Sequence, residues 1–421
     1  MQQRHGRLRP GHDHHPRPLQ QCLDLGLEFR DGAGGRSLVK NLLLGGLDLV
    51  VGRVFQILHI LGIEFRRSCD DSSRRLVAAL EQFQEAMKLD PGEPAAPYNV
   101  ARMLFARGDT DGAIAHYEKV LEMAPDHVQA LNNLGYCHES RGEFDQAISL
   151  YRRAVTADPA FTLAYMNLGN ALLQVQRYGE AAEAYSRVLE QAPSNVPILC
   201  NLGRAQYRLA DLSLARSTLE QALMLGRHVL GPQNAVIVTI LSNLGLVLRD
   251  QDNLPEALQA FRQALAIDKQ LNQQGDPNTT LLNNLGMVLQ KLNDLSAARD
   301  SYEQALAIWE KTLGPTHPQV SLALNNLGTL LQDMNNLPAA QEALQRALDI
   351  DRQVFEPQHP RIATRHNNLG NVLYAQGNLA AARSAFEQAL SIWEKVLGAE
   401  HPQIAIGLNN LGMVLKDQGD L

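Results

Sequence analysis

A five-residue phrase recurs along this chain and limits its possible folds more than any other feature. LNNLG ends at Gly135, Gly286, Gly328 and Gly412, LSNLG at Gly245 and HNNLG at Gly370, with the shorter MNLG and CNLG at Gly169 and Gly203. These glycines lie 34 residues apart from 135 to 203, then 42, 41 and three times 42. A fixed period of about 20 to 50 residues marks a repeat architecture, in which each unit buries its apolar face only by stacking on its neighbours.

The residues after each glycine define the unit. Twelve positions on stands an alanine (Ala147, Ala181, Ala215, Ala257, Ala298, Ala340, Ala382), and four further on a bulky apolar residue (Tyr151, Tyr185, Leu219, Phe261, Tyr302, Leu344, Phe386). A small residue follows three later in most units, with Val188 the exception. In the leading segment Leu324, Leu327 and Leu331 fall three and four apart, so each unit reads as two amphipathic helices joined by a turn. The glycine and the alanine are small because the helices must approach closely there.

This pattern resembles the tetratricopeptide repeat from about residue 75 to the end. The longer unit, with NNLG, EK-LG and HP in that order, resembles the kinesin light chain type across roughly 230 to 421. The resemblance implies an all-α fold, a right-handed superhelix (α-solenoid) of antiparallel helix pairs.

Read in order, residues 1–70 form a non-repeat segment. Its opening RHGRLRPGHDHHPRP is too rich in Arg, His, Pro and Gly to bury an apolar core, so a disordered or poorly ordered segment is expected. His12, His14 and His15 in that tract lack the fixed geometry of a metal site. Residues 71–93 read as a degenerate half repeat, with Ala79, Phe83, Ala86 and Pro91 at second-helix intervals. Three 34-residue units span 94–195, with Ala101 in the glycine position of the first. Pro125, Pro159 and Pro193 stop their second helices. Five 41/42-residue units span 196–404, in which Gly314 and Gly398 suit helix ends and Pro318, Pro360 and Pro402 suit helix starts. Residues 405–421 read as a truncated final repeat, as in a fragment, with its second helix missing and an apolar face left open.

Composition excludes several function classes. Residues 1–70 hold ten Lys/Arg against seven Asp/Glu, so residues 71–421 hold 28 against 38, a balance of −10. A body of that sign does not collect on nucleic acid or on an anionic membrane. The most apolar stretch, Leu38 to Phe65, is broken by Lys40, Asp48 and Arg53 and is no membrane span. Cys22, Cys69, Cys137 and Cys200 stand too far apart for a CxxC site, which fits a reducing cytoplasmic location.

No phosphate loop, HExxH, GxSxG or paired cysteine motif is present, so no enzyme activity, catalytic residue, cofactor or metal is expected. His317, His359 and His401 recur once per loop. Equivalent atoms of stacked units lie about 10 Å apart, too far to share one ion, so a hydrogen bond to a loop or helix start is the better reading. Trp309 and Trp393 end apolar stripes and read as core.

The asparagines are harder to explain structurally. Asn99, Asn133, Asn167, Asn201, Asn243, Asn284, Asn326, Asn368 and Asn410 each stand two residues before the glycine or its Ala101 counterpart. Inside a helix each costs roughly half a kcal/mol against alanine. Asn132, Asn283, Asn325, Asn367 and Asn409 immediately precede five of them. The resemblance places first helices on a concave wall, and asparagine ladders in kinesin light chain and in the repeat arm of O-GlcNAc transferase hold peptides by their backbone. A ladder step of about 10 Å matches about three extended residues of about 3.3 Å. The other reading is that each asparagine ties its helix to the neighbouring one.

The expected function is a non-enzymatic scaffold or adaptor that binds an extended, neutral or basic polypeptide. The alternative is the sensing or substrate-recruiting arm of a larger signalling or protein-modifying enzyme. End-to-end self-association through an uncapped last repeat is a third possibility.

Overall fold

The computed structural model describes residues 80–272, 275–398 and 400–419. The readings for residues 1–70, including the histidine tract, Cys22 and Cys69, lie outside them. The described residues form helices and turns and no strand. The described residues divide into two compact units, with the boundary between Val236 and Ile237.

In the first unit a helical stretch at residues 80–89 precedes four helix pairs. These are α1 (Ala95–Ala106) with α2 (Thr110–Met123), α3 (Val128–Ser140) with α4 (Phe144–Ala157), α5 (Thr162–Gln174) with α6 (Tyr178–Gln191), and α7 (Val196–Arg208) with α8 (Leu212–Val229). Each helix packs on the next, and the short connections make neighbours antiparallel.

One turn residue recurs at the same place, seven positions after the glycine or Ala101. Gly108, Gly142, Gln176 and Ala210 all hold φ between 61° and 85°. Glycine takes this left-handed conformation freely, whereas alanine and glutamine are held in it by the packing on either side. Asp109 and Asp211 then start α2 and α8 by accepting from the backbone N–H groups of Gly112 and Leu214.

The second unit holds most of α9 (Ala235–Asp250), followed by α10 (Leu254–Leu271), α11 (Thr279–Lys291), α12 (Leu295–Leu313), α13 (Pro318–Asp333), α14 (Leu337–Val354), α15 (Pro360–Ala375), α16 (Leu379–Leu397) and α17 (Pro402–Gln418). Second helices here have 18 or 19 residues, against 14 for α2, α4 and α6. Gly314 and Gly398 end α12 and α16 with φ of 90° and 80°. Pro318, Pro360 and Pro402 open α13, α15 and α17. The residue before each is the recurrent histidine, and its Nδ1 accepts from the backbone N–H of Gln319, Arg361 or Gln403 at 3.2–3.3 Å. These histidines are helix N-caps, as their positions beside proline suggest. Trp309 and Trp393 are buried in the core.

The core repeats one contact. A Cβ added at Gly135, Gly169, Gly203, Gly245, Gly286, Gly328 or Gly370 would lie 2.6–2.7 Å from the bulky residue sixteen positions later. Those seven bulky residues are almost wholly buried. At Gly328 the carbonyl of Ala340 lies beside the same point at 3.3 Å, so the alanine twelve positions on helps to bring the helices together. At Gly412 nothing lies within 4 Å. There Ile406 and Leu408 are just over half exposed, whereas Leu282 and Leu324, which match Leu408 in earlier repeats, are buried.

Gly286→Ala should therefore destabilise the chain by about 1–3 kcal/mol through overpacking against Tyr302. Gly412→Ala should leave stability unchanged or raise it by up to about 1 kcal/mol. Denaturant unfolding of the two variants checks the contrast, and equal losses would refute this account of the glycine.

Candidate functional site

All nine predicted asparagines sit on first helices, from Asn99 on α1 to Asn410 on α17. A side-chain amide has two N–H donors and a carbonyl oxygen with two lone pairs, and the structure shows where part of that capacity goes. In the second unit Asn326 donates to Oδ1 of Asn283, and Asn368 to Oδ1 of Asn325, both at 2.9 Å. Asn410 donates to Oδ1 of Asn367 at 3.0 Å and lies 3.3 Å from Oδ1 of Asn371. Within a repeat the companion turns back, Asn325 to Asn326 and Asn367 to Asn368, each at 3.4 Å. The result is a directed chain of amides running from Asn410 to Asn283.

The first unit builds the same rungs with substitutes. Asn167 donates to Asn132 at 2.9 Å, and Asn132 in turn to Asn133 at 3.2 Å. In the first repeat the companion position holds Tyr98, whose hydroxyl accepts from Asn133 at 3.2 Å. In the third repeat it holds Met166, and Asn201 donates instead to Asn170 at 3.3 Å. Asn99 and Asn243 are half-buried, and Asn284 is buried.

The companions Asn132, Asn283, Asn325 and Asn367 are buried, and their first use is as acceptors inside the stack. Asn409 is exposed. The rung residues Asn133, Asn167, Asn201, Asn326 and Asn368 are half-buried and keep one edge toward the surface.

In the second unit that surface is hollowed. A cavity of about 500 Å³ is bordered by Arg249, Met287, Gln290, Asn326, Thr329 and Asp333 from α9, α11 and α13, with Tyr302 of α12 beneath. Arg249 reaches the Met287 sulfur at 3.6 Å, and Gln290 donates to Asp333 at 2.6 Å. In each unit buried tyrosines donate from their hydroxyls to a polar side chain of a first helix. Tyr302 donates to Gln290 at 3.2 Å, Tyr151 to Glu139 at 2.7 Å and Tyr185 to Asn170 at 2.7 Å. Burial pushes all three phenols up, so they remain donors at neutral pH, and burial also raises Glu139.

A second cavity, of about 530 Å³, borders α4 in the first unit and is lined by Arg152, Arg153 and Arg177. Glu180 pairs with both Arg152 and Arg177, and Arg153 donates to the carbonyl of Pro125, so each of the three guanidiniums already has a partner. No cluster of metal-ligating side chains occurs among the described residues. Cys137 and Cys200 are buried and form no disulfide, and burial pushes Cys137 up to about 12.

His366 opens the HNNLG variant of the phrase, where Leu131, Leu282 and Leu324 stand in other repeats. It is buried, and Nε2 accepts from Arg352 at 3.1 Å. Burial pushes the imidazole down to about 4, and the Arg352 charge acts in the same direction. Its folded value is thus depressed below the ordinary 6.5. The unfolded chain binds the proton first, so stability is full above about 6.5 and falls as pH drops toward 4. His366→Leu should remove a loss on the order of 1 kcal/mol between pH 7 and pH 5. Melting curves at the two pH values measure it, and parallel declines in variant and wild type would sink the assignment.

Two family models, each described as tetratricopeptide repeat, match the chain. One covers residues 196–270, 278–353, 319–395 and 361–421, and the other residues 72–126, 98–161 and 141–196. Among solved structures the chain is similar to BtubC (BKLC) from P. vanneervenii, at 23% identity and a TM-score of 0.44 over 54% of this chain and 92% of that one. It is also similar to YrrB, described as a TPR protein with an unusual peptide-binding site, at 19% identity and a TM-score of 0.41 over 45% and 93%. A third is MamA from Desulfovibrio magneticus RS-1, at 17% identity and a TM-score of 0.39 over 43% and 97%. No curated protein matches the sequence.

Proposed function

The chain belongs to the tetratricopeptide repeat family, and from that membership we propose a protein–protein interaction scaffold that lays an extended polypeptide along its asparagine rungs. The family's fold serves protein or peptide recognition. The reading rests above all on the unspent half of the half-buried rungs Asn326 and Asn368. Asn326 gives one N–H to Asn283 and accepts one from Asn325. A second N–H and a second lone pair remain on this half-buried amide, which borders the 500 Å³ hollow. One donor and one acceptor are what the C=O and N–H of an extended peptide unit require.

The balance of −10 over residues 71–421 favours a neutral or basic guest and disfavours nucleic acid. Among the described residues no helix is long and apolar enough to cross a membrane. The proposed role is non-enzymatic, without cofactor or metal, in a reducing cytoplasmic setting that suits buried cysteines outside any disulfide.

The test must separate reading a guest from holding the stack. Asn326→Ala with Asn368→Ala breaks four amide bonds, and Asn325→Ala with Asn367→Ala also breaks four. Both double variants of the full chain should melt earlier to a similar extent, since each bond contributes about 1 kcal/mol. Against peptides selected from an unstructured library on wild-type protein, the first pair should lose at least about tenfold in affinity, or about 1.4 kcal/mol. The second pair should retain most of it. If the two pairs bind alike, the asparagines act only within the fold.

A further inference from the structure

The repeats of the second unit share LNNLG-type first helices and nearly the same second helices, so each stacking surface resembles its neighbours. Besides His366, one buried position changes in both size and charge from repeat to repeat; it opens the unit as Asp268, which accepts from the backbone N–H of Asn278 at 3.0 Å and has Leu282 fourteen residues on. Trp309, Asp351 and Trp393 are equivalent, each 23 residues after its glycine, and fourteen residues beyond them lie Ala323, Arg365 and Gly407 on the next first helix. The pairs differ in size and in charge.

Trp309 is buried in a cluster with Ala323, Val320 and Leu324. Trp393 packs with Ile404 and Ala363, and a Cβ on Gly407 would come within 3.2 Å of its ring. Between these two contacts the pattern inverts. Asp351, wholly buried, accepts from Arg365 Nε at 3.0 Å, with Arg365 only 3% exposed. Ser321 lies 3.4 Å from the same Nε and donates to the carbonyl of Ala347 at 3.0 Å. Arg361 stands 3.6 Å from the other Asp351 oxygen. Large residue meets small residue at two interfaces, and acid meets base at the one between them.

We propose that these alternating contacts are a register code that prevents the repeats of one copy from stacking out of register on those of a second copy. A slip by one repeat sets Trp309 against Arg365, where the indole and the guanidinium contend for the same volume. The same slip sets Asp351 against Gly407, a buried carboxylate with no cation. Either mismatch leaves a charge desolvated and unpaired, which costs far more than a poor apolar fit. Slips by two repeats meet no such barrier, since Trp309 against Gly407 repeats the Trp393 pairing. The code thus acts on displacement by a single unit.

The test is to erase the code in the full chain. Asp351→Trp with Arg365→Ala makes three like contacts in succession. Trp309→Asp with Ala323→Arg makes two neighbouring interfaces alike by the opposite chemistry, and it carries the test if the first variant does not refold. Asp351→Arg with Arg365→Asp keeps a charge pair distinct from its neighbours and serves as control. After refolding from denaturant at high concentration, size-exclusion chromatography with light scattering reads the oligomeric fraction. Either erased variant should form at least severalfold more oligomer than wild type, and the control should match wild type. Erased variants that refold with the wild-type fraction of oligomer would overturn the proposal, as would a control that oligomerises as much as they do.

Discussion

In each complete repeat from the second onward, a glycine of the first helix lies where a Cβ would come within 2.7 Å of a bulky side chain on the second. That closeness fixes the helix pair, because a ring or isobutyl group seated against bare backbone allows neither helix to slide or rotate. It also fixes the spacing within each pair, since the bulky residue must return sixteen positions after the glycine while the period beyond it varies from 34 to 42 residues. Where α17 has no described second helix, the same glycine is open and the leucine four residues before it is exposed. The rest of the repeat chemistry depends on this contact. It sets the orientation of each first helix, and with it the direction in which the residue two before the glycine points.

The asparagines follow from that orientation. Asparagine is a poor choice inside a helix, and its recurrence needs an offsetting gain. The rungs supply it, as each inter-repeat amide bond is worth about 1 kcal/mol against a propensity cost of about half that. On the proposed reading, binding and stacking are therefore not rival uses. An amide that links two helices with one N–H is held in place, and its other edge is fixed in orientation for a second partner.

Much of the fold was legible because the glycine phrase, the alanine and the bulky residue recur at fixed helical intervals. The histidine caps of α13, α15 and α17 were legible because histidine preceded proline at each of those starts, whereas the cap by His127 on α3 carried no such mark. The rung substitutes were not legible from the phrase alone. Tyr98 replaces a companion asparagine by offering a hydroxyl, which is a match of chemistry and not of spelling. Asn170 takes over when Met166 fills the companion position, and its only signal was an asparagine directly after the glycine. The Asp351 and Arg365 pair was written as an exception at a position that reads tryptophan on either side. It had a sequence signal in its fourteen-residue spacing, but the 42-residue repeat that revealed the fold directs attention to what recurs and away from what breaks the recurrence.

The direction of the amide chain bears on how a guest would lie. From Asn410 to Asn283 each rung donates toward the preceding repeat, so the rungs are not mirror images of one another along the stack. Asn326 and Asn368, the half-buried rungs of this run, then offer their remaining N–H and carbonyl in the same order. A peptide backbone is also directional, with N–H and C=O alternating in a fixed sense. A guest bonded to successive rungs about 10 Å apart, or about three extended residues, meets the same order each time only if it runs one way. Reversed, it can satisfy donors and acceptors at one rung only by turning its peptide planes before the next. On the proposed reading, the bonds that stabilise the stack also give the groove a polarity, and because the rungs are already ordered, little freedom is lost when a guest of the right sense is bound.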